Sequence, residues 1–166
     1  MLHILLLGDK MNTADIINTI SSMHPYAYAN IQGNSVVGRL MAYSYHSGTL
    51  LVVEASGLPV TQCMQGIHAL HIHEGSSCAS VEGVPYAASG QHFNITSCPH
   101  PYHTGDLPPL FSTNGQAWMA VYIDKFTPEE IIGKTVIIHQ NIDDFTSQPA
   151  GNAGTKIACG EIVRFY

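Results

Sequence analysis

The hydrophobic pattern changes period once along this chain. Ile16, Ile17, Ile20 and Met23 fall at helical spacing, which predicts a short helix over 14–23, capped by Asn12 or Thr13 and stopped by Pro25. From Tyr26 onward the texture is that of strands. Runs over 27–32, 35–45 and 49–56 are divided by Gly33-Asn34 and Ser47-Gly48, both good turn pairs. Further strand-like runs cover 67–73, 117–124, 135–140 and 156–165. Thr127-Pro128-Glu129-Glu130 reads as a capping box with proline at the first helical position, and Gly133 can close the one-turn helix it starts. Two stretches, 74–111 and 141–155, have little periodicity. Irregular segments that long in a compact domain usually serve function. The pattern predicts an all-β fold of seven or eight short antiparallel strands, a sandwich or barrel with two long functional loops. It also divides the chain into an N-terminal extension over 1–25, carrying the helix, and a β domain over 26–166.

Composition narrows the function. At 166 residues, 45% apolar and 11% charged, the chain fits one globular domain and excludes disorder. Its formal charge is -6, and its six Lys plus Arg form no basic run, so nucleic acid is excluded as a partner. The apolar run Leu2 to Leu7 lacks a basic flank and is broken by Asp9 and Lys10, too early for a membrane span. The expectation is a soluble, cytoplasmic protein with no membrane contact, or a secreted one if that run belongs to a signal peptide. The Asn94-Ile95-Thr96 sequon matters only in the second case. Histidine is the outlier: of ten, seven lie between His68 and His139, and imidazole is the commonest metal ligand.

Leu70-His71-Ile72-His73 places two imidazoles on one face of a strand and two apolar side chains on the other. Such a pair is structural about as often as it is ligating. The His-x-His-x-Asp-His extension of two-metal hydrolases is absent, because Glu74-Gly75 follows. Within the first irregular stretch, His92, His100, His103 and Asp106 offer nitrogen and oxygen donors suited to tetrahedral zinc, or else a polar, solvated loop. His139 ends the apolar run Val136-Ile137-Ile138, where a strand would deliver a ligand to the sheet's end.

Four segments in order resemble the copper/zinc superoxide dismutase family: Gly66-Ile67-His68-Ala69-Leu70-His71-Ile72-His73-Glu74, Gln91-His92-Phe93-Asn94, His103-Thr104-Gly105-Asp106-Leu107 with its following Pro-Pro-Leu, and the 151–160 segment Gly-Asn-Ala-Gly-Thr-Lys-Ile-Ala-Cys-Gly. The resemblance implies an immunoglobulin-like Greek-key β-sandwich or barrel and the disproportionation of superoxide. It implies copper held by His71, His73, His92 and His139, and zinc held by His92, His100, His103 and Asp106, with His92 bridging and taking a proton during turnover. Asp143 would link a copper histidine to a zinc histidine, and His68 would brace the site without ligating. Lys156 would guide the anion. Cys78 would pair with Cys159, leaving Cys63 and Cys98 free, with Cys98 an alternative zinc ligand. A homodimer is implied as well, and copper loading without a chaperone, since Thr155 and Ile157, not proline, flank Lys156.

The chain departs from the family pattern in three places. His100 and His103 are unusually close together, Lys156 stands where the family usually has arginine, and 141–155 contains no Lys or Arg. Two rival readings remain at this stage: a non-catalytic copper-binding or copper-delivery module on the same fold, and a zinc hydrolase using Glu74 as general base.

Overall fold

A computed structural model describes residues 12–166 apart from 62 and 64. The apolar run at Leu2 to Leu7, on which the choice of compartment rests, lies outside the described residues. The helix α1 spans Thr13–Ser22, and the side chain of its N-cap, Asn12, accepts the Asp15 N–H at 2.9 Å. No helix among the described residues is long and apolar enough to cross a membrane.

Ten strands follow: β1 (Ala27–Gly33), β2 (Val37–Tyr45), β3 (Gly48–Ser56), β4 (Gln65–His68), β5 (Leu70–His73), β6 (Leu110–Thr113), β7 (Ala117–Ile123), β8 (Thr135–His139), β9 (Lys156–Glu161) and β10 (Val163–Arg164). The main sheet runs β5-β8-β9-β1-β2-β3-β7, with β10 on β1, and every pair is antiparallel. A separate ribbon pairs β4 with β6. Because β4 runs through Ala69 into β5 and β6 turns through Asn114-Gly115 into β7, this ribbon joins the two edges of the main sheet. The chain crosses from β3 to the far edge at β5, returns to β7 beside β3, and crosses again to β8 beside β5. This is the expected Greek-key β architecture.

The alternation of side chains explains where the core sits. On β1, Ala27, Ala29 and Ile31 are buried while Asn30 and Gln32 face out. They meet Leu40, Leu51, Val53, Leu70, Ile72, Val136, Ile138 and Ala158 in one core. The strand β3 does not alternate, because both its faces are covered. Its outward Leu50 and Val52 join Tyr43 and Tyr45 in a second cluster against which Ile16 and Ile20 of α1 pack.

Three local expectations differ from the structure. The strand β6 begins inside the stretch read as loop and runs two residues beyond it, and its Leu110 is fully buried although its neighbours give no period. The predicted 67–73 strand begins at Gln65 and breaks at Ala69, and the last strand breaks at Ile162. The capping-box helix does not form, and 128–133 is a run of turns. There Thr127 donates both its N–H and its hydroxyl to Glu130 Oε2, so the carboxylate half of the capping box is made without a helix following it. Burial of Ile131 and the pairing of Gly133 N–H with Ile162 O pull the segment onto the sheet instead.

Cys78 and Cys159 form a disulfide that ties the loop after β5 to β9 across a sequence separation of 81. Closing a loop of that size constrains the unfolded chain by roughly 4 kcal/mol. Replacing both cysteines by serine is therefore expected to lower Tm by about 10 °C, measured by calorimetry, with the strand signature in far-UV circular dichroism retained.

Candidate metal centre

Two sets of donor atoms face each other at one end of the sheet. His71 and His73 sit at i and i+2 on β5, on the face opposite the core residues Leu70 and Ile72. His139 ends β8, where the register with β9 shifts between Ile138 and His139. That bulge sets His139 across from Lys156. The long loop folds back along β5: Phe93 N–H donates to Ile72 O at 2.8 Å, Ile72 N–H to Gly105 O at 2.9 Å, and Gly105 N–H to Phe93 O at 2.7 Å. Gly105 has to be glycine for this, since a Cβ there would lie 2.3 Å from Ile72 O. The fold-back brings His92 beside His73 and Asp106 beside His71.

His71, His73, His92 and His139 form one buried group whose ligand atoms all lie within 4.8 Å of one another, and His92, His100, His103 and Asp106 form a second. His92 belongs to both. The hydrogen bonds around the first group decide which nitrogen each imidazole turns inward. His71 donates from Nε2 to Asp143 Oδ2 at 2.8 Å, His73 from Nδ1 to Gly90 O at 2.9 Å, and His139 from Nδ1 to Gly154 O at 3.3 Å. A neutral imidazole that donates from one nitrogen keeps a lone pair on the other. The opposite nitrogens, His71 Nδ1, His73 Nε2 and His139 Nε2, together with His92 Nε2, are buried and have no hydrogen-bond partner. Orphaned buried acceptors are costly unless a cation meets them. The residues fit a metal ion.

In the second group, Nδ1 of His92 lies 2.7 Å from Asp106 Oδ1, Nδ1 of His100 lies 3.1 Å from Asp106 Oδ2, and Nδ1 of His103 lies 3.3 Å from both Asp106 Oδ2 and His92 Nδ1. Three imidazole nitrogens and a carboxylate converge, a donor set suited to tetrahedral zinc. The short sequence spacing does not prevent His100 and His103 from meeting. Asp143 spans both groups, accepting from His100 Nε2 at 2.8 Å through Oδ1 while Oδ2 holds His71. Gly151 permits this contact: its φ is +64°, and a Cβ there would lie 2.0 Å from Asp143 Oδ1.

Burial pushes His73 down to about 2 and His139 down to about 3, and it lowers His71 and His103 as well, which keeps these rings neutral and able to ligate. Burial would raise Asp106, but its hydrogen bond to His92 and the nearby imidazole charges outweigh that and bring it to about 2. Asp143 is likewise lowered, burial being outweighed by hydrogen bonds from His71, the Phe145 N–H and His100.

The other singled-out residues lie around this core. Lys156 donates to Ser89 Oγ at 2.7 Å and to Gly90 O at 3.1 Å, the same carbonyl that holds His73, and burial lowers its pKa. His68 is buried with both ring nitrogens against carbonyl oxygens, those of His139 and Gln140 on one side and Pro59 on the other. Cys63 and Cys98 are free thiols. Cys98 is not among the grouped donors, and its thiol is turned to Thr96 O at 3.9 Å. Glu74 is exposed at the end of β5. Nothing in the residue pattern singled out Ser89 or Gln148 or assigned a role to Gly90 or Gly154, whose contributions depend on loop geometry. Nor did it point to Lys125, whose ammonium donates to the carbonyls of His103 and Asp106 at 3.1 and 3.3 Å.

Comparison with known proteins places this geometry in context. The sequence model of the family described as copper/zinc superoxide dismutase (SODC) matches residues 27–162. The chain is 31% identical over 131 residues to a superoxide dismutase [Cu-Zn] of Deinococcus radiodurans, covering 68% of this chain and 69% of that protein. It is 30% identical over 148 residues to superoxide dismutase [Cu-Zn] 2 of Aquifex aeolicus, covering 80% and 82%. Its fold matches the Cu/Zn superoxide dismutase from Brucella abortus with a TM-score of 0.69 at 24% identity, over 81% of this chain and 98% of that one.

The depressed histidine pKa values fix the sign of a pH effect on the metal-free protein. Below the ordinary value of 6.5, His73 and His139 take up protons in the unfolded chain but not in the folded one. Stability is thus expected to fall as pH drops from about 6.5 to 4, by about 1.4 kcal/mol per pH unit for each of the two histidines. Urea unfolding of metal-free protein at stepped pH checks this; a flat profile would contradict it.

Proposed function

The chain belongs to the copper/zinc superoxide dismutase family, an oxidoreductase family whose metals are copper and zinc, and from that premise we propose that it disproportionates superoxide at the His71, His73, His92 and His139 cluster. The observation that carries the proposal is the set of four buried imidazole nitrogens without a hydrogen-bond partner, three of them presented by a hydrogen bond on the opposite side of the ring. Bound there, copper supplies a one-electron couple, so that one superoxide leaves as dioxygen and a second, taking up the electron and two protons, leaves as hydrogen peroxide.

The chain's own residues supply the remainder. His71, His73 and His139 are buried and keep fixed tautomers through their hydrogen bonds on the far side of each ring. His92 turns Nε2 toward the copper-side group and Nδ1 toward the zinc-side group; with zinc held at Nδ1, its Nε2 would be the atom to take a proton whenever copper does not hold it. His100, His103 and Asp106, with Nδ1 of His92, are the donors for zinc. Asp143 locks one ring on each side.

Lys156 attracts the anion. Its charge is felt at both His73 and His139, and its bonds to Ser89 and Gly90 also stiffen the loop that orients His73. We extend the reading to a homodimer, for which exposed Val37 and Trp118 on the outer face offer apolar surface. We extend it also to copper loading without a chaperone, for which Thr155 and Ile157 beside Lys156 are the support. The hydrolase reading is disfavoured, because the four zinc-side donors are all buried and close on one another, leaving no open position for water. A non-catalytic copper module would have little use for a second metal group sharing a ligand with the first.

Metal analysis paired with a superoxide-consumption assay tests the proposal. The expected result is one copper and one zinc per chain with cyanide-sensitive turnover; zinc alone with no turnover would defeat it. Electrostatic steering, of which superoxide dismutases are themselves a worked example, sets the expectation for Lys156. Lys156→Ala is expected to lower kcat/KM about tenfold at low ionic strength and to flatten its salt dependence, as read by pulse radiolysis. Unchanged rates would remove Lys156 from the reaction.

A further inference from the structure

His100 has an unusual backbone problem. It stands between Pro99 and Pro101, neither of which has an N–H, and it belongs to no strand. It is nevertheless buried, so its own N–H and C=O need partners. Both partners come from one side chain on the other loop. His100 N–H donates to Gln148 Oε1 at 3.1 Å, and Gln148 Nε2 donates to His100 O at 2.7 Å. The amide thus pairs with the main chain on both sides, as a neighbouring strand's peptide would. The ring of His100 is held by the same loop, through Asp143 Oδ1 at 2.8 Å.

We propose that Gln148 is a positioning residue for His100: it fixes the His100 main chain while Asp143 fixes the ring, so that Nδ1 arrives among His92, His103 and Asp106. The proposal rests on the reading that this group holds zinc. It answers a constraint particular to this chain, in which His100 and His103 are close together and the proline-flanked segment can build no ladder of its own. The clamp acts on one metal group only. On the copper side, His71 is set by Asp143, His73 by Gly90 and His139 by Gly154, and none of these contacts passes through Gln148.

The test uses protein loaded with copper and zinc, and follows release of each ion to a chromogenic chelator in the native chain, in Gln148→Leu and in Gln148→Glu. The leucine removes both bonds, while the glutamate keeps an acceptor for His100 N–H and loses the donor to His100 O. Zinc is expected to leave both variants about tenfold to a hundredfold faster than the native chain, with copper release altered by no more than about twofold. Either variant leaves a buried main-chain group of His100 unpaired, so a lower urea midpoint of the metal-free protein is expected and the positioning role is read from zinc release relative to copper release. A residue that merely stabilised the fold would loosen both ions together. Native zinc release in both variants, or copper and zinc lost in step, would overturn the clamp. A native chain that holds copper but takes up no zinc would overturn the zinc assignment, and the clamp with it.

Discussion

Burying imidazole nitrogens that no protein group meets is the constraint on which the rest of this structure depends. A buried nitrogen lone pair with nothing to accept from is unfavourable, yet the protein collects four of them around one point. The carboxylate of Asp143 and the carbonyls of Gly90 and Gly154 take the N–H on the far side of His71, His73 and His139 and hold those lone pairs inward, and Asp106 faces the far side of His92. Desolvation then keeps the rings neutral. Geometry, tautomer and charge state agree, and that agreement distinguishes a metal centre from a group of core histidines such as His68, whose two nitrogens both face carbonyl oxygens.

The β architecture supplies the rigidity this needs. His71 and His73 ride on one strand, His139 ends the neighbouring strand at a bulge, and His92 is carried by a loop stitched by main-chain bonds to the first strand. None of the donors in the second group belongs to a strand. Beyond the main-chain bonds to β5, its order comes from contacts between the two long loops, through Asp143, Gly151 and Gln148, and from Lys125 just after β7.

How much of this could be read in the sequence follows the range of the interactions. The pairing of His71 and His73 on one strand face was legible because alternation is local, and the Cys78–Cys159 bridge and the grouping of the two donor sets were legible through resemblance. The helix α1 announced itself by spacing and an N-cap. The strand β6 did not, since its two inward residues are too few to establish a period in a proline-rich context. The capping box at Thr127 misled because the burial of Ile131 outweighed a local helix signal. Gln148 and Ser89 carry no chemical signature at all; each matters through a partner about fifty or more residues away, His100 and Lys156 respectively.

Sharing of the His92 imidazole between two ions is read by anomalous diffraction from crystals of the metal-loaded protein. A copper-edge peak is expected against Nδ1 of His71 and Nε2 of His73, His92 and His139. A separate zinc-edge peak is expected on the other side of the His92 ring, against Nδ1 of His92, His100 and His103 and the carboxylate of Asp106. A single peak, or a copper peak away from His92, would contradict that sharing.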